Sequence, residues 1–199
     1  MEHIHCGPTY GKALASWLMI LPPPSLRFSL LRLDKPYSNN MNSSSTLAKA
    51  LSHVLIERSW KIALAESCTG GLVCATLTEL PGSSDWFERG YITYSNVAKA
   101  ECLGVAPETI DSFGAVSEQV AKAMAEGVQR HAGVNVGVAI TGIAGPTGGS
   151  PQKPVGTVCF AWSVAESTTC KTQLFAGDRQ AIREQACAYA LSELLILLK

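Results

Sequence analysis

The chain is 199 residues long, 47% apolar and 16% charged, with sixteen Lys and Arg against sixteen Asp and Glu. Such a length supports one domain with enough core to fold alone. The zero balance excludes a broad basic surface for nucleic acid, and no apolar run approaches the roughly eighteen residues that a membrane-spanning helix needs.

The balance is uneven along the chain. Residues 1–42 hold four Lys/Arg, two Asp/Glu and five of the ten prolines, three of them consecutive at Pro22–Pro24. Their single apolar patch, Ala13–Leu21, runs straight into those prolines with no small-x-small cleavage pattern behind it. This segment reads as a disordered or non-native extension, and the domain as residues 43–199.

Ser43–Ser45 offer caps for a helix whose Leu47, Leu51, Val54 and Leu55 share one face. Lys61–Ala65 has strand length, and Gly70–Leu80 reads as a helix stopped by Pro81-Gly82. Gly90–Thr93 forms a second short strand. Asn96 can cap a helix ending at Gly104, and Ser117 opens an alanine-rich helix followed by Gly133. Val134–Ile140 alternates with strand period. Gly156–Val164 and Thr169–Phe175 make an antiparallel pair because their link is short. Asp178 caps a last helix reaching Leu198. Strands alternating with helices, then a hairpin and a helix, predict an α/β domain: a three-layer α/β/α sandwich on a mixed, mainly parallel sheet.

Three residues follow the first three strands closely: Ser67, Tyr94 and Thr141. Parallel strands would gather them on the carboxyl edge of the sheet, where open α/β sheets bind ligands. Ser67 stands in Glu66-Ser67-Cys68-Thr69-Gly70-Gly71, a strand-to-helix turn with the mechanics of a nucleophile elbow, although Ser67 and Thr69 could also be plain helix caps. Free N–H groups there suit an oxyanion or phosphate. No histidine joins this set, so a lysine whose pKa burial has lowered is the available base, and Lys99 is the candidate. Cys68 is a rival nucleophile. Residues 141–154 carry four glycines and three prolines, a long loop suited to anions yet lacking the Walker spelling. Seven cysteines without C-x-x-C spacing argue against zinc and against a disulfide framework, and place the chain in the reducing cytoplasm.

The segments LAESCTGG (Leu64–Gly71), PGSSDWFERGYITYSNVAK (Pro81–Lys99), GAVSE (Gly114–Glu118), TGIAGPTGG (Thr141–Gly149), KPVGTV (Lys153–Val158) and GDR (Gly177–Arg179) occur in an order that resembles the CinA C-terminal-domain family. That family includes nicotinamide mononucleotide amidohydrolases, and the likeness covers residues 43–199. The resemblance implies hydrolysis of the carboxamide of nicotinamide mononucleotide to nicotinic acid mononucleotide and ammonia. It implies Ser67 as nucleophile, Lys99 as general base and Tyr94 as support, with substrate contacts from Cys68, Thr69, Gly70, Gly71, Asn96, Thr141, Gly142 and Gly145. The oxyanion would fall to amides near Cys68–Gly70, and the phosphate and ribose to the Gly70–Gly71 turn and the Thr141–Gly149 loop. Neither a metal nor a cofactor is expected. The partners expected are a small nucleotide substrate and further copies of the chain, with neither nucleic acid nor a membrane. Two other readings stay open: a non-catalytic nucleotide-binding module, and an amidase for some other small amide.

Overall fold

The computed structural model describes residues 43–199, so the expectation for residues 1–42 lies outside the described residues. Helix α1 (Ser44–Glu57) starts where Ser43 accepts the Thr46 N–H. It leads into β1 (Ile62–Glu66), and α2 (Leu72–Thr78) follows. A 3-10 turn at Ser83–Asp85 then precedes β2 (Phe87–Ile92). Helices α3 (Asn96–Leu103), α4 (Pro107–Phe113) and α5 (Glu118–Ala132) lead to β3 (Val136–Gly142). The hairpin β4 (Thr157–Val164) and β5 (Ser167–Leu174) precedes α6 (Arg179–Leu197), capped by Asp178.

The five strands form one sheet in the order β2-β1-β3-β4-β5. β1 pairs parallel with β2 and with β3, whereas β3–β4 and β4–β5 are antiparallel. Two buried clusters lie on its opposite faces. Ile62, Leu64, Val136, Val138 and Ile140 meet α1, α2 and α6, while Ala63, Ala65 and Ala139 meet α3, α4 and α5. Alternation along the strands assigns each face its set. The small face lets α5 come close: a Cβ at Gly137 would stand 2.4 Å from the Ala125 carbonyl oxygen. The three-layer α/β/α architecture read from the sequence is the observed one.

Several boundaries differ from the expectation. Ser95, rather than Asn96, caps α3 by accepting the Ala98 N–H at 3.0 Å, so Asn96 is the first helical residue. Helix α2 begins at Leu72, which leaves Gly70 and Gly71 in the loop before it, both at positive φ (57° and 91°). β2 starts three residues earlier than the Gly90 expected, because Ile62 opposite Phe87 begins the pairing with β1. Helix α4 was not anticipated. Its start carries a readable signal, Pro107 in the first turn after an extended Ala106, but its seven residues have no apolar stripe.

Candidate active site

The register aligns the carboxyl ends of three strands. Glu66 pairs with Ile92 on one side and Ile140 on the other, so Ser67, Thr93 and Thr141 emerge side by side. The Ser67 N–H donates to the Ile140 carbonyl at 2.9 Å, and the Thr93 N–H to the Glu66 carbonyl at 2.8 Å. Ser67 is therefore fixed to the sheet at the point where the chain turns away.

Lys99, on α3, reaches this point from the small-residue face. It is 1% exposed, among the largest fully buried side chains described. Its Nζ lies 3.1 Å from Ser67 Oγ and donates to the Thr93 carbonyl at 2.8 Å. No carboxylate pairs with it among the described residues. Burial without a counter-ion disfavours the ammonium, and the Lys99 pKa is lowered from the usual lysine value by that desolvation. A neutral amine against a serine hydroxyl can accept its proton. The neighbouring Cys68 is held out of this role: burial pushes its thiol up to about 12, so no thiolate forms near neutrality.

The Gly70 N–H is used by the Ser67 carbonyl and the Leu72 N–H by the Thr69 carbonyl. Glu66, 0% exposed, accepts from Gly71 (2.9 Å) and Val73 (3.3 Å) at Oε2 and from Cys74 (2.8 Å) at Oε1. From Ser67 to Cys74, only the Cys68 and Thr69 amides have no hydrogen bond to another residue's oxygen among the described residues. Two consecutive N–H groups directly after a nucleophile have the form of an oxyanion hole. Gly70 and Gly71, expected to offer amides to oxyanion or phosphate, have theirs engaged within the protein.

On the opposite face two arginines of α6 reach the same edge. Arg183 donates to the Thr69 carbonyl through Nε (3.2 Å) and Nη2 (2.7 Å). Arg179 donates to the Gly145 carbonyl at 3.0 Å and to the Tyr94 hydroxyl at 2.8 Å. Together with Leu72, Asp178, Gln180 and Glu184 they line an open cavity of about 550 Å³. Neither arginine was singled out as a site residue in the sequence. A pair four apart at a helix start reads there as a solvated face, and only the docking of α6 reveals its targets.

The remaining expected residues are placed as follows. Tyr94 is 59% exposed and bonds to Arg179, with no bond to Ser67 or Lys99 among the described residues. Thr141 is buried and donates its hydroxyl to the Ala115 carbonyl at 2.8 Å. Gly142 pairs across from Val158 within β3, and Gly145 contributes its carbonyl to Arg179. Asn96 lines a separate cavity of about 310 Å³ between α3 and α4. Thr69 and Thr93, whose carbonyls hold Arg183 and Lys99, both keep a buried hydroxyl without a partner among the described residues. Among the described residues no three His, Cys, Asp or Glu side chains gather as a metal site, and no helix is long and apolar enough to cross a membrane.

Residues 44–198 match the CinA C-terminal domain family. The chain belongs to that family. It is 48% identical over 151 residues to the nicotinamide-nucleotide amidohydrolase PncC of Enterobacter agglomerans, covering 75% of this chain and 92% of that protein. It is 49% identical over 160 residues to a CinA-like protein of Syntrophobacter fumaroxidans, covering 80% of this chain but 38% of the relative. The family fold is shared in three dimensions. A competence-damaged protein (CinA) superfamily structure from Enterobacter cloacae superposes with a TM-score of 0.78 at 39% identity, over 82% of this chain and 96% of that one. The CinA domain thus accounts for most of the shorter relatives and under two-fifths of the longer one.

Proposed function

We propose that this CinA domain hydrolyses the carboxamide of nicotinamide mononucleotide, giving nicotinic acid mononucleotide and ammonia. The observation that carries the reading is the buried Lys99 Nζ, without a counter-ion, 3.1 Å from Ser67 Oγ. Neutral Lys99 takes the Ser67 proton as Oγ bonds to the amide carbon. The Cys68 and Thr69 amides hold the oxyanion. The C–N bond then breaks, and the nitrogen leaves as ammonia with the proton that Lys99 returns. Water, deprotonated by Lys99, cleaves the serine ester and releases the carboxylate.

The nucleotide phosphate goes to the α6 side, where Arg179 and Arg183 supply fixed positive charge in a domain of slightly acidic balance. Tyr94 links the two halves. Its hydroxyl is held by Arg179, and its backbone follows Thr93, whose carbonyl holds Lys99. The 48% identity with an enzyme named for this reaction supports the substrate class. A module that only binds nucleotides would gain nothing from burying a lysine without a counter-ion, which costs folding free energy.

The test is ammonia release from nicotinamide mononucleotide, nicotinamide riboside and free nicotinamide under the same conditions. The expected order places the mononucleotide first by at least about tenfold in kcat/KM, as charged hydrogen bonds to phosphate require. Equal rates with and without the phosphate would overturn the nucleotide assignment, and no release from any of the three would overturn the hydrolysis of a nicotinamide carboxamide.

A further inference from the structure

Glu66 is the one carboxylate among the buried residues described, and the chemistry above leaves it without a part. It lies at the last position of β1, with its backbone paired to β2 and β3, directly before the nucleophile. Its side chain reaches over the turn to three amides at the start of α2. The ordinary caps of this domain, Ser43, Ser95, Ser117 and Asp178, each accept an N–H three residues ahead. Glu66 spans five to eight residues instead, with Ser67–Gly70 enclosed between its backbone and its carboxylate.

We propose that Glu66 is a positioning residue: its carboxylate closes the Ser67–Gly70 loop into a ring and thereby aims the nucleophile and the two oxyanion amides. The inference rests on the amidohydrolase reading for its chemistry and on hydrogen-bond geometry for its substance. Both ends of the loop are tied to one residue that cannot shift along the sheet, because the ladder holds it on both sides. Gly70 and Gly71, in left-handed backbone, make the bend that brings the Gly71 amide onto the carboxylate. By taking the Gly71, Val73 and Cys74 amides, the carboxylate leaves the Cys68 and Thr69 amides as the pair available to a ligand. It also fills the anion-attracting end of α2 with the protein's own charge, so a substrate phosphate finds no place there. Without it, three orphan amides would compete for nearby oxygens and the loop would lose its single geometry.

The experiment compares wild type, Glu66→Gln and Glu66→Asp. Gln keeps the shape but turns one acceptor into an NH2 facing backbone donors. Asp keeps the charge but withdraws it by one methylene. Three readouts are taken: kcat and KM with nicotinamide mononucleotide, the rate at which a fluorophosphonate probe labels Ser67, and the melting temperature. The expected result is a roughly 10- to 100-fold loss of kcat in Glu66→Gln, as misplacement near 1 Å causes, with KM within about threefold and labelling slowed in parallel. Asp is expected to show a smaller loss of the same kind. Unchanged kcat and labelling in a variant with lowered melting temperature would make Glu66 a plain structural cap and overturn the proposal. So would failure of both variants to fold, which would make it a determinant of folding. A wild type that labels at Ser67 yet releases no ammonia would sink the substrate reading alone, and the labelling rates would still decide the role of Glu66.

Discussion

The helices α2 and α6 both start on the carboxyl edge of the sheet, and their first turns are used in opposite ways. At α2 the N–H groups are consumed by the protein's own carboxylate, Glu66, which is fully buried. At α6 a surface aspartate, Asp178, caps the helix, and the first turns present Arg179 and Arg183 to an open cavity. The N-terminal end of a helix attracts negative charge, and each of these two starts meets a carboxylate of the protein in a different way. Under the proposed function, the first start is the scaffold of Ser67 and the second receives the charge of the substrate.

Substitutions should separate these duties. The largest effect is expected from Ser67→Ala, with ammonia release falling by on the order of 10⁴-fold or more while far-UV circular dichroism is unchanged. Lys99→Arg should be nearly as severe, because a guanidinium does not surrender its proton. Lys99→Met is expected to be just as inactive yet at least as stable as wild type, since it removes a buried amine that has no counter-ion. The Lys99 pKa is lowered in the folded state, so the unfolded chain holds more protons between that lowered value and the ordinary lysine value. Stability of the wild type should therefore rise with pH across that window, and the slope contributed by this residue should vanish in Lys99→Met. Chemical denaturation at several pH values would measure it. Activity should climb with pH through the same lowered value.

On the α6 side, Arg179→Ala and Arg183→Ala should each raise KM for the mononucleotide by roughly tenfold, and should narrow its advantage over the riboside. Should these variants instead lose kcat at constant KM, the division between the two helix starts would fail. Tyr94→Phe carries the smallest expectation, a few-fold change in kcat/KM, as a single exposed hydrogen bond to Arg179 is removed.

How much of this was legible beforehand follows from where each signal resides. Ser67 and Thr141 could be placed because alternating strands and helices force parallel strands, and parallel strands align their carboxyl ends. That is topology read from local pattern. Lys99 could be nominated only by elimination of histidines and by family resemblance. Its burial is a tertiary fact with no local mark. Glu66 was visible as a letter beside the nucleophile, but nothing local announces that its carboxylate folds over the turn to Cys74. Arg183 was hidden for the same reason. Asn96 was misread as a cap because two good capping residues, Ser95 and Asn96, stand together, and side-chain reach to the Ala98 amide decided between them.

The unequal faces of the sheet have a further consequence. Against α1, α2 and α6 the strands offer isoleucine, leucine and valine from β1 and β3, which can be exchanged for one another as long as volume is kept, together with Phe160 and Trp162 from β4. Against α3, α4 and α5 they offer mainly alanine, with Gly137, where an added Cβ would meet the Ala125 carbonyl oxygen. The molecule therefore has one wall built of large side chains and one built of small ones, and Lys99, on α3, stands on the small one. Directed evolution for heat tolerance should find volume-keeping exchanges among the aliphatic residues of the large wall. On the small wall, enlarging a side chain near Lys99 should lower turnover before it lowers the melting temperature.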